Sequence, residues 1–211
     1  MHINEKYFYL IKRIWMNFLS TIFIGIILFV ANLFEVNFSD LVKDPATVTD
    51  THPFVGMISN LGIILFAIAA AYSFFSYYLL RHSHLHKKSK QFLLVLGLFT
   101  TILTLDDLFL IHEYSFILGV SEKYIYLLYA LLSIAFFLSF NKEILNIHKN
   151  YFFLAIVFFA ISVLSDQFLY SDPSSSLKSV IEDGAKFLGI VNWMTFIIKT
   201  CMLKLQQCLI I

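Results

Sequence analysis

Residues 14–34, IWMNFLSTIFIGIILFVANLF, run for 21 positions without a charged side chain. About 20 apolar residues in helical form match the ~30 Å hydrocarbon core of a bilayer. Inside lipid a segment must also satisfy its own peptide groups, which leaves the helix or the closed barrel. Five further runs follow, near residues 55–80, 91–112, 124–140, 150–170 and 180–199. The predicted fold class is therefore an all-α integral membrane protein, a six-transmembrane-helix bundle forming one domain over residues 1–211. The fourth run, IYLLYALLSIAFFLSF, is the shortest and suits a locally thin bilayer. The first run exceeds a normal signal-peptide core and lacks a small-x-small cleavage site behind it, so it reads as an uncleaved anchor.

Composition agrees. Only 14% of residues are charged and 59% are hydrophobic, against about a quarter charged in soluble domains. The net charge of +1 gives no pull toward nucleic acid, and none is expected as a partner. The placement of charge carries more information.

Lys6, Lys12, Arg13, Arg81, Lys87, Lys88, Lys90, Lys142, Lys149, Lys199 and Lys204 fall at one set of helix ends; Lys43, Lys123, Lys178 and Lys186 fall at the other. Positive loops stay cytoplasmic, so both termini are expected inside. Of the fourteen acids, only Glu5 and Glu143 accompany the basic ends. A compact positive-inside chain without organelle signals is expected in a bacterial inner (plasma) membrane, with membrane lipids around it.

The third run ends in LTLDDLFLIHEYSF, residues 103–116. With the span starting near Phe92 and rising about 1.5 Å per residue, His112 reaches the outer interface, and Asp106 and Asp107 lie about 8–9 Å beneath it. Asp106 and Glu113 would share a stripe, with Asp107 and His112 turned to either side. Asp166, Glu182, Asp183, Lys186, Asn32 and Asn60 fall at similar depth in other spans. Together they predict a polar chamber beneath the outer face, with Lys186 as charge partner of Asp106 or Asp166 and Asn32 and Asn60 as helix–helix polar contacts. Glu182 and Lys186, four apart, can also pair along their own helix.

Six carboxylates, on Asp106, Asp107, Glu113, Asp166, Glu182 and Asp183, face Lys186 and His112. Unpaired charge inside a membrane is costly, so protonation, water or a bound cation must balance the excess. Carboxylates suit a hard divalent cation, and His112 extends the choice to Zn²⁺ or Fe²⁺.

On the basic side, RHSHLHKK (Arg81, His82, His84, His86, Lys87 and Lys88) reads as a loop meeting anionic headgroups. Its cationic neighbours disfavour a metal. Cys201 and Cys208 read as reduced cysteines on an amphipathic tail.

No GxSxG, HExxH or paired ExxH motif is present. Polarity sits at one side of the membrane, whereas a transporter places it near the midplane. The expectation is a non-enzymatic multi-spanning sensor, anchor or assembly subunit working through a cytoplasmic protein partner, with self-association open. A metal-dependent intramembrane hydrolase or transferase acting on lipid and an ion-conducting homo-oligomer are the alternatives.

Overall fold

The computed structural model describes residues 2–168 and 176–209. The side chains of residues 1–14, 16, 17, 118, 168–178 and 209–211 lie outside this description, among them Lys6, Lys12, Arg13 and Lys178 of the orientation argument. The described residues are helical, with no strand among them. They form two units, residues 1–55 and 56–211.

The first unit contains α1 (His2–Leu33) and two short helices, α2 (Phe38–Leu41) and α3 (Pro45–Thr49). Pro45 opens α3 at its first turn, where the missing N–H costs nothing. Within α1, the described apolar stretch is Phe18–Leu33.

The second unit contains α4 (Met57–Leu80), α5 (Lys87–Phe109), a 3-10 helix (Glu113–Leu118), α6 (Glu122–Asn146), α7 (Lys149–Phe168) and α8 (Ser176–Leu209). Its five long helices are apolar enough to cross a membrane. The protein is a multi-pass membrane protein with five such helices among the described residues. Several predicted limits move. The fourth predicted span is no short helix, because α6 continues to Asn146 through a kink at Phe140 (φ −125°, ψ 22°). The last helix starts at Ser176 and runs on through Cys201 to Leu209, beyond the expected tail boundary. Residues 169 and 170 of the fifth predicted span lie outside the described residues.

Helices α4, α5, α7 and α8 pack through aromatic rings and small residues. Phe92, Phe99, Phe136, Phe140, Phe152, Trp193 and Phe196 are buried together. Helix α6 reaches this core through Phe136, Phe140 and Ile144, a single stripe at one-turn spacing. Small residues allow close approach: a Cβ on Gly97 would lie 2.9 Å from the Phe74 ring, and one on Gly189 would lie 2.7 Å from Phe159. Two side-chain hydrogen bonds tie helices across the core. Ser73 Oγ donates to the Leu93 carbonyl at 2.7 Å, and Trp193 Nε1 donates to Thr100 Oγ1 at 3.0 Å. Cys201 is fully buried in the same core, and thus is no surface residue of a tail.

Candidate functional site

Asp106 and Asp107 occupy the last turn of α5, and both are buried. The helix does not run on to His112. Leu110 takes a left-handed conformation (φ 51°), and the backbone N–H groups of Leu110 and Ile111 both close onto the Asp106 carbonyl. A left-handed non-glycine residue costs about 1–2 kcal/mol. Bonds made immediately beyond it offset that cost. The chain folds back so that the His112 backbone N–H donates to Asp106 Oδ1 at 2.9 Å, and the ring Nδ1 lies 2.8 Å from Asp106 Oδ2. His112 and Glu113 therefore leave the helix, which overturns the predicted stripe of Asp106 with Glu113 and the helical angle assigned to His112. No glycine or proline marks this stop, so an apolar sequence pattern passes straight through it.

Asp107 is turned about 100° from Asp106 and faces α8. Lys186 Nζ lies 2.6 Å from its Oδ1. Lys186 is thus the charge partner of Asp107, where Asp106 or Asp166 was expected; Asp106 is already held at both oxygens by His112. The second oxygen of Asp107, Oδ2, is buried and has no hydrogen-bond partner. Asp107 and Lys186 open onto a small hollow also lined by Ser59, Asp183, Phe187 and Ile190.

The far side of His112 meets Glu113, whose Oε1 is 3.8 Å from Nε2 and whose side chain is 54% exposed. Tyr126 covers the imidazole with ring centres 5.7 Å apart, and its hydroxyl donates to Glu122 Oε1 at 2.7 Å. Burial by itself depresses the His112 pKa. The Asp106 hydrogen bond and negative charge, helped by Glu113, outweigh burial and the opposing Lys186 charge, so it is raised above the ordinary 6.5. One donor atom from each of Asp106, Asp107 and His112 lies within 4.8 Å of the other two.

Two of the remaining predicted residues, Asp166 and Glu182, lie near enough to Tyr126 to act on it electrostatically. Asp166 is half-buried and accepts from Gln167 Nε2 at 2.9 Å. Glu182 is half-buried, and Asp183 is exposed at the rim of the hollow. Asn60 is exposed and makes no interhelical side-chain hydrogen bond among the described residues of the second unit, whereas Asn32 belongs to the first unit.

At the opposite end of the second unit, Arg81, His82, His84, His86, Lys87 and Lys88 are all exposed. His86 Nδ1 accepts from the Lys88 backbone N–H at 3.2 Å and caps α5. Arg81 lies over the Tyr78 ring at 4.2 Å. The loop histidines form no metal-spaced group among the described residues.

A second, part-buried ion pair was not anticipated. Lys204 Nζ lies 2.7 Å from Glu143 Oε2, while Ser89 Oγ donates to Glu143 Oε1 at 2.8 Å. Glu143 was visible as one of two acids among the basic helix ends. Its partner was hidden because Lys204 looked like part of an exposed tail.

Five membrane-length helices, with one acid–histidine–lysine cluster where α5 meets α8, define a multi-pass helical membrane protein with a polar centre. Residues 21–200 match the family described as Domain of unknown function (DUF8692), and the chain belongs to that family. No curated protein and no solved structure matches it.

Proposed function

We propose that the chain is a non-enzymatic multi-spanning subunit that senses conditions at the outer membrane face and acts through a cytoplasmic partner. In this reading six helices span a bacterial inner membrane, with α1 as the first, and both termini are cytoplasmic. One observation carries the non-enzymatic reading: the charged groups engage one another. Asp106 holds His112, and Asp107 holds Lys186, beside a hollow walled by close-packed side chains. A lipid-processing site needs a cleft that brings the substrate to the reacting groups. The exposed basic residues from Arg81 to Lys88 supply a face for lipid headgroups and for an acidic partner.

The test is brief crosslinking in native membranes followed by purification of the full chain. One protein at stoichiometric yield is expected, and it should be lost in Lys87→Glu/Lys88→Glu while that variant stays folded. Purified protein that turns over a lipid and retains no partner would overturn the reading.

A further inference from the structure

We propose that Asp106, Asp107 and His112 form a binding site for a divalent transition-metal ion, which competes with the Lys186 ammonium for Asp107. The inference deepens the sensing reading and rests on it, since it names what the polar centre would sense.

Three observations carry it. First, one donor from each residue lies within 4.8 Å of the others, and all three residues are buried. Donors about 2.0–2.2 Å from one tetrahedral ion are separated by about 3.3–3.6 Å, so side-chain rotations that draw the widest pair in by about 1 Å bring the set into range.

Second, Lys186 satisfies only half of Asp107. Its Oδ2 is buried without a partner, in a residue only 6% exposed that lines the hollow. Buried carboxylate oxygens rarely stay unpartnered, because the lost hydration is not replaced.

Third, His112 Nδ1 and Asp106 Oδ2 share one proton at 2.8 Å. That separation suits two donors on one ion. Metal binding removes the proton from Nδ1. A cationic imidazole releases it to solvent, whereas a neutral one moves to the Nε2–H tautomer. The Nε2–H then faces Glu113 Oε1, now at 3.8 Å, an outer carboxylate of the kind that fixes a metal-bound histidine.

Lys186 has somewhere to go. Its side chain is 29% exposed at the hollow, and Glu182 and Asp183 precede it by four and three residues on α8. Those spacings allow pairing along the helix. A bound ion thus exchanges one cation for another at Asp107 and loosens the direct tie between α5 and α8. The donor set, one imidazole nitrogen with carboxylate oxygens, favours Zn²⁺, Fe²⁺ or Mn²⁺ over Mg²⁺ or Ca²⁺.

The experiment uses the detergent-purified full chain, stripped with a chelator and dialysed against Zn²⁺ in excess Mg²⁺. One zinc per chain is expected, with affinity reduced at least tenfold in Asp107→Asn and in His112→Ala. Lys186→Gln separates this site from a purely structural ion pair. It removes the competing ammonium, so zinc affinity should rise at least tenfold, and zinc should restore the melting temperature that the substitution lowers. If Lys186→Gln unfolds without metal, recovery of the folded protein in zinc gives the same reading. Wild-type chain without zinc, together with a Lys186→Gln variant that zinc neither binds nor rescues, overturns the inference. Zinc failure with partner retention intact would overturn this site alone; zinc binding without any partner would instead overturn the proposed mode of action.

Discussion

Lys186 and Lys204 stand 18 residues apart on α8, five helical turns or about 27 Å, and therefore on the same face. Each meets a carboxylate from another helix: Asp107 of α5 at 2.6 Å and Glu143 of α6 at 2.7 Å. The distance between them approaches the thickness of a hydrocarbon core. Trp193, between them, hydrogen-bonds to Thr100 of α5. Helix α8 is thus fixed by charge near both ends and by a neutral bond and aromatic packing between them.

Lys204→Met should destabilise the protein by about 1–3 kcal/mol, because removing one partner strands a part-buried carboxylate that keeps only its Ser89 hydrogen bond. The Glu143→Met/Lys204→Met double variant should recover most of that loss, since two apolar side chains replace the pair. Unfolding in mixed micelles measures both. A double variant as unstable as the single one would mean that Lys204 acts through packing of its stem alone.

Thr100→Val removes the acceptor for the buried Trp193 indole while keeping the side-chain shape. An unsatisfied buried donor costs about 1–3 kcal/mol in soluble cores, but interhelical hydrogen bonds in membranes average nearer 0.6 kcal/mol. The lower figure applies in this apolar core, so a loss of about 0.5–1.5 kcal/mol is expected. Trp193 fluorescence in a Trp15→Phe background, followed through unfolding, would show the change.

Gly189→Ala places a methyl group 2.7 Å from the Phe159 ring, with the ring's root carbon at 3.2 Å. The ring cannot retreat by a simple tip movement, so α7 and α8 must separate. Overpacking of this kind costs about 1–3 kcal/mol. Gly184→Ala on the same helix has no neighbour within 4 Å and should be neutral or mildly stabilising in the same melting experiment.

The raised pKa of His112 gives the metal-stripped protein a pH dependence of definite sign. The folded value exceeds the ordinary 6.5 because Asp106 favours the imidazolium. The resulting stabilisation is complete below about pH 6.5 and fades as pH rises through the folded value. Melting temperatures of chelator-treated protein should fall across that window, and the slope should flatten in His112→Gln. An unchanged slope would assign the titration to another group.

Some of this arrangement was legible residue by residue. The runs of Leu, Ile and Phe announced helices because a peptide in lipid must bond to itself, and Asp106, Asp107 and His112 stood out against them. Lys186 was also visible as a cation at the same depth beneath the outer face. What the pattern could not show was the stop at Leu110. No glycine or proline marks that turn; it depends on His112 reaching back to Asp106, a contact between groups already brought together by the turn. The pairing of Lys186 with Asp107 was likewise closed to sequence reading, because it depends on which face of α5 meets α8.

The sequence by itself determined a multi-pass helical membrane protein with acids and bases gathered at opposite helix ends, since hydropathy and charge act locally along the chain. Tertiary structure alone decided which charges meet. The rotation of each helix in the packed bundle sets Asp107 against Lys186 and Glu143 against Lys204. An ion pair forms only within a few ångströms, a distance that packing sets.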